Sequence, residues 1–244
     1  MPKGDELDVA GFASSYEAGT IIEPHEHPAH QIAHSVSGTL RVTAKGLLWF
    51  VPPGRALWIP AYVSHAIQCS GRVEMRTVYL SKAFPSAHAD VRVISVSPLM
   101  REVLVRLAEC HSATSPLPLA EVLVNEVRNS APEALSIPVP SDARIATLAW
   151  HMQNAPDDQT PLVTWAKRLG ISERTLIRSI RAETGMTFRE LRRLTRIMVA
   201  LDRLASGQSV TETALDVGFE TPSAFIHAFR AMTGKTPRHF MSSS

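Results

Sequence analysis

The sequence predicts an α+β protein of more than one domain, with a strand-rich first part and an all-helical last part. Three observations lead to this prediction. Short segments rich in β-branched and aromatic residues recur between turns up to about Leu80, a Pro-rich run follows at 131–142, and the last part repeats a helical unit. The length of 244 residues suits two compact domains. We expect a sheet domain at 1–95 and connecting helices at 96–130. A flexible linker at 131–141 then leads to a helical domain at 142–244.

Composition and charge narrow the class of protein. A hydrophobic fraction of 45% and a charged fraction of 20% exclude a wholly disordered chain. The net charge is only +2, but residues 141–244 carry fourteen basic and ten acidic side chains, whereas residues 1–95 carry eight of each. The positive excess therefore lies in the helical domain. An aromatic fraction of 6% disfavours binding of single-stranded nucleic acid by stacking.

Neither a membrane span nor a disulfide framework is predicted. The longest apolar stretch, 46–63, is interrupted by Arg55 and three prolines, and the acidic start has no apolar signal region. Cys69 and Cys110 form no paired motif, so reduced thiols are expected. These features predict a cytoplasmic protein that does not engage a membrane.

The strand-rich part predicts a β-sandwich or barrel. Its expected strands lie at 32–36, 39–44, 47–52, 56–60, 66–69 and 74–80. Helices are expected at 99–110 and 119–129, and the first places Leu99, Val103, Leu107 and Cys110 on one apolar stripe. Because such stripes need cover, we expect these helices to form a homodimer contact.

The last part contains an internal repeat. Residues 172–188 align with 221–237 at an offset of 49 residues, and 162–170 align with 210–218 at an offset of 48. Each unit has a helix, a Gly turn and a second helix that begins at a Ser or Thr N-cap. These are the parts of a helix-turn-helix, and their tandem occurrence predicts two such motifs.

One face of each second helix predicts contacts to double-stranded DNA, because an exposed Arg can bind guanine through two hydrogen bonds in the major groove. The alternative is a solvated charged face on an ordinary helix bundle. The predicted face carries Arg174, Arg178 and Arg181 in the first motif and Ser223, His227 and Arg230 in the second.

A single long helix, 188–206, is expected between the motifs. Its basic side chains could meet phosphates or be hydrated, and hydration is expected for most of them, since surface charge runs usually have that role. These side chains are Arg189, Arg192, Arg193 and Arg196.

Over about 142–240 the sequence resembles the AraC-type transcription regulators. The resemblance rests on WAKRLG at 165–170, SERTL at 172–176 and ETGMTF at 183–188 in the first motif. In the second motif it rests on VGF at 217–219, SAF at 223–225 and TP at 236–237. In that family a rigid helix joins two helix-turn-helix motifs that bind successive major grooves of one DNA site. The resemblance implies base-contact positions at Arg174, Ile177 and Arg178 in the first motif and at Ser223, Ile226 and His227 in the second.

The strand-rich part also contains a pattern of His residues. His25, His27 and Gln31 have equal parity, so on strands they point to one face, into a barrel. His30 and His34 point to the other face and are poorer candidates for the same site.

The spacing from Gly19 to Gly38, and from Gly54 to His65, resembles the two motifs of cupins, which are small double-stranded β-barrels. The resemblance implies that His25, His27 and His65 bind a divalent metal and that Gln31 takes the place of the usual Glu. Imidazole-rich sites suit Zn, Ni, Co, Cu or Fe. The alternative is an effector pocket without metal, in which the His rings form hydrogen bonds.

Trp49, Trp58 and Tyr62 are expected to line the effector pocket, although such aromatics commonly pack a barrel instead. The run PPGRALWIP at 52–60 is typical of short AraC-type regulators with an N-terminal cupin sensor, in which Gln at the position of Gln31 is usual. The resemblance therefore implies a cupin double-stranded β-barrel, connecting α-helices and an all-α domain with two helix-turn-helix motifs.

We expect a sequence-specific transcriptional regulator, not an enzyme, whose cupin domain senses a metal ion or small molecule. One alternative is a metal-dependent cupin enzyme carrying a DNA-binding appendage, but Gln31 stands where an inner carboxylate is expected. Another is an architectural protein that binds DNA without an effector.

Overall fold

The computed structural model describes residues 8–109 and 116–242, so Cys110 lies outside the described residues. The chain divides into two compact units. The first contains the chain up to Lys45 with Trp49–Leu135, and the second contains Gly46–Leu48 with Ser136–Phe240. Among the described residues, no helix is both long enough and apolar enough to cross a membrane. The expected boundaries at 95, 130 and 141 stay predictions.

The first unit is built on antiparallel strands. Their order in the sheet is β1-β6-β3-β5-β7-β8, with β2 on β6 and β4 on β3, and pairing of the described strands does not close this path. The strands are β1 (Val9–Tyr16), β2 (Ile21–His25), β3 (Ala29–Ala44), β4 (Leu47–Val51), β5 (Arg55–Ile59), β6 (His65–Ser81), β7 (Arg92–Ser95), β8 (Pro132–Glu133) and, in the second unit, β9 (Ser136–Pro138).

The long strands β3 and β6 each join segments that the sequence predicts as separate strands. In β3 the register against β6 shifts between Ser35 and Thr39. Gly38 has a φ of 72° at this point, and a Cβ there would meet the carbonyl oxygen of Arg72 at 2.3 Å. The glycine therefore marks a bulge inside one strand, because the ladder continues on both sides of the irregularity.

Besides two short strands in the predicted linker, three strands, β1, β2 and β7, have no counterpart in the sequence predictions. β1 consists largely of Ala, Gly and Ser, which have low β-propensity, and β2 has only five residues and is interrupted by Pro24. β7 has only four residues. Pairing with the longer strands forms these elements, which local sequence alone does not indicate.

Two helices follow the strands, α1 (Pro98–Glu109) and α2 (Leu117–Asn129). The sheet covers their apolar faces, and Trp58, Ile32 and Ile94 pack in the same core as both helices. The predicted stripe is corrected in part: Val103 and Leu107 are buried, but Leu99 is 54% exposed. The sheet therefore covers Val103 and Leu107, Leu99 remains exposed, and the expected contact with a second copy of the chain stays a prediction.

The region predicted as a flexible linker contains ordered strands. β8 pairs with β7 through Glu133 opposite Val93. Leu135 and Ile137 are buried, one in each compact unit. Their apolar side chains anchor the segment, which its Pro and Ser content does not reveal.

The second unit is all-helical in its repeated part, which confirms the predicted class of fold. Its helices are α3 (Ala143–Asn154), α4 (Leu162–Arg168), α5 (Glu173–Thr184), α6 (Phe188–Ala205), α7 (Val210–Asp216), α8 (Pro222–Thr233) and α9 (Pro237–Ser242). Helices α4 and α5 form the first helix-turn-helix motif, and α7 and α8 form the second. The long helix α6 joins them, as the sequence predicts.

Equivalent residues begin and end the second helix of each motif. The side chains of Ser172 and Thr221 accept hydrogen bonds from backbone N–H groups at the starts of α5 and α8. Gly185 and Gly234 end these helices in the left-handed region, with φ of 71° and 74°. Local cap chemistry therefore sets the same helix length in both motifs.

Candidate functional site

Three histidines converge at one end of the sheet. His25 ends β2 and pairs with His65, the first residue of β6. His27 lies in the turn before β3, and its ring centroid is 5.3 Å from that of His65. One ring nitrogen from each of the three lies within 4.8 Å of the others. The fold thus brings together the three His that the sequence predicts as ligands.

The same kind of hydrogen bond orients each ring. The Nδ1 atoms of His25, His27 and His65 lie 2.8–2.9 Å from the carbonyl oxygens of Glu23, Ala29 and Val63. A carbonyl oxygen only accepts, so Nδ1 carries the proton and the Nε2 lone pair of a neutral ring is left for another partner. Backbone carbonyls commonly fix metal-binding His residues in this way.

His65 is the most buried of the three and is 1% exposed. Burial lowers the pKa of His65 to about 4, with a further contribution from nearby His25 and His27, although the hydrogen bond to Val63 opposes the shift. Its ring is therefore neutral at pH 7. Its buried Nε2 has no hydrogen-bond partner among the described residues, which is costly unless a ligand uses it.

Gln31 completes the cluster, with its Oε1 3.1 Å from the Nε2 of His27. The Gln31 amide nitrogen donates to the hydroxyl oxygens of Thr77 and Tyr79. Thr77 in turn donates its hydroxyl proton to the carbonyl oxygen of Ile32. Because that proton is committed, Thr77 must accept from Gln31, and the amide cannot be turned around without losing this bond.

The orientation has a chemical consequence. With His27 protonated at Nδ1, a lone pair on its Nε2 faces a lone pair on the Gln31 oxygen at 3.1 Å. Two acceptors at this distance attract one another only through a cation between them, either a proton on His27 or a metal ion. Both atoms are ligands that a divalent transition metal accepts.

A cavity of about 260 Å³ adjoins the cluster within the first unit. Aromatic side chains from β1 and β6 form much of its wall, and among residues 8–109 and 116–242 no Asp, Glu, Lys or Arg lines it. Its lining residues are Phe12, Ser14, Tyr16, Ile22, His25, Gln31, Ile67, Met75, Thr77 and Tyr79.

The three aromatics predicted for the effector pocket do not line this cavity. Trp58 pairs with Ile32 and so lies on the opposite face from Gln31, stacked on His30 at 5.1 Å. Tyr62 is 58% exposed in the turn after β5, and Trp49 is buried with its Nε1 near the carbonyl oxygen of Ala44. These three side chains therefore lie away from the cavity beside the His cluster, and their part in effector binding stays a prediction.

The cavity residues that sequence reasoning missed come mainly from β1 and β6. Those of β6 could have been predicted to share one face of the sheet, because Met75, Thr77 and Tyr79 alternate within the predicted strand 74–80. β1, which supplies Phe12 and Tyr16, was not predicted as a strand.

The expected orientation of His30 and His34 away from the cluster agrees with their contacts to Trp58 and to the carbonyl oxygen of Arg55.

In the second unit, the predicted DNA-contact side chains lie on the outer faces of α5 and α8. Ile226 is half-buried and the others are exposed; Ile177 is 54% exposed although it is apolar. The opposite faces supply the core, with Leu176 and Ile180 in one motif and Phe225 and Phe229 in the other. The exposed set comprises Arg174, Ile177, Arg178, Arg181, Ser223, His227 and Arg230.

The basic run on α6 divides into two kinds of residue. Arg189 and Arg193 are exposed, in line with the expected hydration. Arg192 and Arg196 are half-buried, and they donate hydrogen bonds to the carbonyl oxygens of Thr160 and Pro156. Hydration is therefore the wrong description for these two, because the loop before α4 supplies acceptors that the sequence pattern does not show.

Two families of domain match the chain. An AraC-like ligand binding domain matches residues 6–125, and a helix-turn-helix domain matches residues 165–243. The two matches fall on the strand-rich part with its helices and on the repeated helical part.

Individual proteins show the same similarity. The HTH-type transcriptional regulator NimR of Escherichia coli is 30% identical over 98% of this chain and 90% of its own length. The HTH-type transcriptional regulator RipA of Corynebacterium diphtheriae is 41% identical over 43% of this chain and 31% of its own. The solved structure of ToxT from Vibrio cholerae aligns with 96% of this chain and 98% of its own, with 12% identity and a TM-score of 0.43.

Proposed function

Because the chain belongs to the AraC-type family of transcriptional regulators, we propose that α5 and α8 bind one double-stranded DNA site and that the sheet domain controls this binding. The proposal of DNA binding rests on the repeated surface, because two equivalent helices expose polar and basic side chains at equivalent positions. Arg174 and Arg178 hydrogen-bond base edges, and Arg181 and Arg230 add charge beside the groove. Ile177 and Ile226 contact thymine methyl groups, and Ser223 and His227 complete the second surface.

The sheet domain senses a divalent transition metal, a small molecule in the adjoining cavity, or both. His25, His27 and His65 hold the metal through Nε2, and Gln31 adds a neutral oxygen. The facing acceptor atoms of His27 and Gln31 and the unpartnered Nε2 of His65 support this assignment. A bound ion would join the ends of β2, β3 and β6 and neutralise the repulsion between the two acceptors.

We propose a regulator rather than a cupin enzyme with a DNA-binding appendage. Gln31 occupies the place of a metal-binding carboxylate, and in the described part of the chain no Asp or Glu joins the three His. Hydrolytic and oxygen-dependent metal chemistry usually needs an acid or base beside the ion. The proposal therefore expects stoichiometric ligand binding without turnover.

The active species is proposed to be a homodimer formed through α1 and α2. Leu99 and Val122 are apolar side chains of these helices that remain exposed, at 54% and 38%. They can contact a second copy while the rest of each helix packs on its own sheet. Analytical ultracentrifugation of the full chain and of a Leu99→Glu, Val122→Glu variant tests this, and an unchanged monomer would contradict it.

Metal analysis of the purified full chain, followed by DNA binding, tests the sensor proposal. The wild type should retain close to one equivalent of metal, and the combined His25→Ala, His27→Ala, His65→Ala variant should retain none. His239→Ala, in the second unit, is the control. The DNA probe is a duplex that the wild type selects from a random pool, tested with Zn²⁺, Ni²⁺, Co²⁺, Cu²⁺ or Fe²⁺ and without metal.

Equal metal content in the wild type and the triple variant would refute the cluster as the site. DNA binding that no metal changes would leave the ion a structural role and refute metal sensing. Failure to select any sequence from the pool would refute base recognition by the two helices.

A further inference from the structure

Arg196 lies on the helix that joins the two helix-turn-helix motifs, and its guanidinium contacts the backbone beside both. Its Nε donates to the carbonyl oxygen of Pro156 at 2.8 Å, in the loop that precedes the first motif. Its Nη1 donates to the carbonyl oxygen of Gly218 at 2.8 Å, in the turn of the second motif. One planar cation thus bridges two segments that are far apart in the sequence.

Two more hydrogen bonds join the same segments. Nη2 of Arg196 donates to the carbonyl oxygen of Asp158 at 3.4 Å. The side chain of Gln159 donates to the carbonyl oxygen of Gly218 at 3.1 Å, directly across the gap. We call the set Pro156, Asp158, Gln159, Arg196 and Gly218 the inter-motif clamp.

The turn at Gly218 is packed closely against the loop. A Cβ on Gly218 would lie 2.7 Å from Cα of Asp157 and 2.9 Å from Nη2 of Arg196. Gly170 holds the equivalent turn of the first motif, and a Cβ there meets nothing within 4 Å. Both glycines have positive φ, but of the two only Gly218 also allows a close approach, between the second motif and the loop before the first.

The loop that receives Arg196 is itself fixed. The Asp158 carboxylate accepts hydrogen bonds from the backbone and hydroxyl of Thr160 at 2.7 and 2.6 Å. It also pairs with Nε2 of His151 on α3 at 2.7 Å. The clamp therefore connects the second motif to a loop that hydrogen bonds hold against α3 and against the residues just before the first motif.

Arg is suited to this role and Lys is not. A guanidinium directs several N–H groups in fixed directions, whereas an ammonium is a compact charge on a flexible chain. The carbonyls of Pro156 and Gly218 accept from different nitrogens of one rigid plane. Hydrogen bonds from a charged donor are also stronger than neutral ones.

We infer that Arg196 is a positioning residue for DNA recognition, which fixes the spacing and rotation of α5 relative to α8. The inference rests on the proposed binding of one DNA site by both helices. One added base pair moves the second sub-site by about 3.4 Å and turns it by about 35° around the DNA axis. A rigid pair of helices cannot follow this change, so the wild type should bind sites of a single spacing.

The DNA test uses duplexes selected by the wild type, with the native spacing, with one base pair added or removed, and with one sub-site scrambled. The proteins are full-length wild type, Arg196→Met, Arg196→Lys and the control Arg193→Lys, which alters an exposed Arg of the same helix. We expect Arg196→Met and Arg196→Lys to bind the native duplex about tenfold more weakly, because the helices are no longer preorganised. Their discrimination between spacings should fall, whereas binding to the scrambled duplex should match the wild type.

A second measurement does not depend on DNA or on the proposed function. Spin labels at Ala182→Cys and Ala231→Cys, in a Cys69→Ser, Cys110→Ser background, report the distance between the ends of α5 and α8. The wild type and Arg193→Lys should give one narrow distance distribution, and Arg196→Met should give a broader one with the helices still formed by circular dichroism.

The outcomes separate the two proposals. Wild-type selection of only one sub-site would refute the joint use of α5 and α8 on one site, while the spin-label distances would still test the clamp. Arg196 variants that keep both the wild-type spacing preference and the narrow distance distribution would overturn the positioning role. A variant that unfolds is replaced by Arg196→Lys, which keeps the charge and lacks the planar fork.

Discussion

Nε2 of His27 lies 3.1 Å from Oε1 of Gln31, and both atoms are oriented as acceptors by bonds on their far sides. The carbonyl oxygen of Ala29 holds the His27 proton at Nδ1, and Thr77 and Tyr79 hold the Gln31 amide nitrogen. A proton on Nε2 of His27 makes this contact a hydrogen bond, and a metal ion bound to both atoms would make two favourable contacts of it. This relationship makes Gln31 a ligand candidate in its own right.

Replacing Gln31 with Glu should strengthen metal binding. The carboxylate puts a negative charge at the same place, so we expect affinity for Zn²⁺ to rise by about tenfold or more, in the range by which ligand surroundings tune such sites. Calorimetric titration of the apo protein measures it. Gln68→Glu, an exposed position on β6, controls for net charge, and equal affinities for both variants would remove Gln31 from the ligand set.

Replacing Arg178 with Ala should weaken binding to the selected DNA site by about 1–3 kcal/mol and relax the preference at one base pair. The reason is that a side chain that hydrogen-bonds a base edge contributes to one sequence more than to others. Binding curves on the selected duplex and its single-base variants measure this, with Arg144→Ala on α3 as the control. A loss that is equal on every duplex would indicate a phosphate contact instead.

The helical domain should lose stability in acid through Asp158. Burial by itself raises the pKa of this carboxyl, but hydrogen bonds from Thr160 and the pair with His151 outweigh it and lower the pKa to about 2. The stabilisation is therefore fully present above the ordinary carboxyl pKa of about 4 and disappears as the pH falls towards 2.

Asp158→Asn should accordingly reduce the free energy of unfolding by about 1–2 kcal/mol at pH 7 and by much less at pH 2. Urea unfolding followed by circular dichroism at both pH values measures the difference. Asp157→Asn, at the exposed neighbouring position, is the control. A loss that does not depend on pH would assign the effect to packing rather than to ionisation.

Gly218→Ala should destabilise the helical domain more than Gly170→Ala. Both substitutions place a side chain at positive φ, with φ of 84° and 67°, which costs about 1 kcal/mol. Only Gly218 adds a contact with backbone at 2.7 Å, for which overpacking costs a further 1–3 kcal/mol, roughly. Thermal unfolding of the two variants compares them directly, and equal losses would argue against close packing at the second turn.

Much of the helical domain could be predicted because its signals are local. The Ser172 and Thr221 caps, the turn and end glycines and the apolar spacing all act within a few residues of the helices they define. The repeat then showed the same signals twice. The long strands were predicted only in pieces, because Gly38 and Gly71 mark bulges as readily as they mark turns.

The histidine site was predictable up to the point where strands must be registered against one another. His25 and His27 share a local spacing, and the cupin resemblance supplied His65. The face of the sheet on which Trp58 lies could not be predicted, because it depends on pairing with Ile32, and a shift of one residue would reverse it. Phe12 and Tyr16 lie on a strand that forms only by pairing with β6.

The sequence by itself determined the two helix-turn-helix motifs and their exposed basic surface, and it singled out the three His that the fold brings together. The helical motifs could be predicted because caps, turns and periodicity depend on neighbours in the chain, whereas His65 was added by the resemblance to cupins. The tertiary structure alone decided the orientation of Gln31, the cavity wall and the role of Arg196. Each of these depends on partners from distant segments, such as Thr77, Tyr79, Pro156 and Gly218, which only folding brings within hydrogen-bond distance.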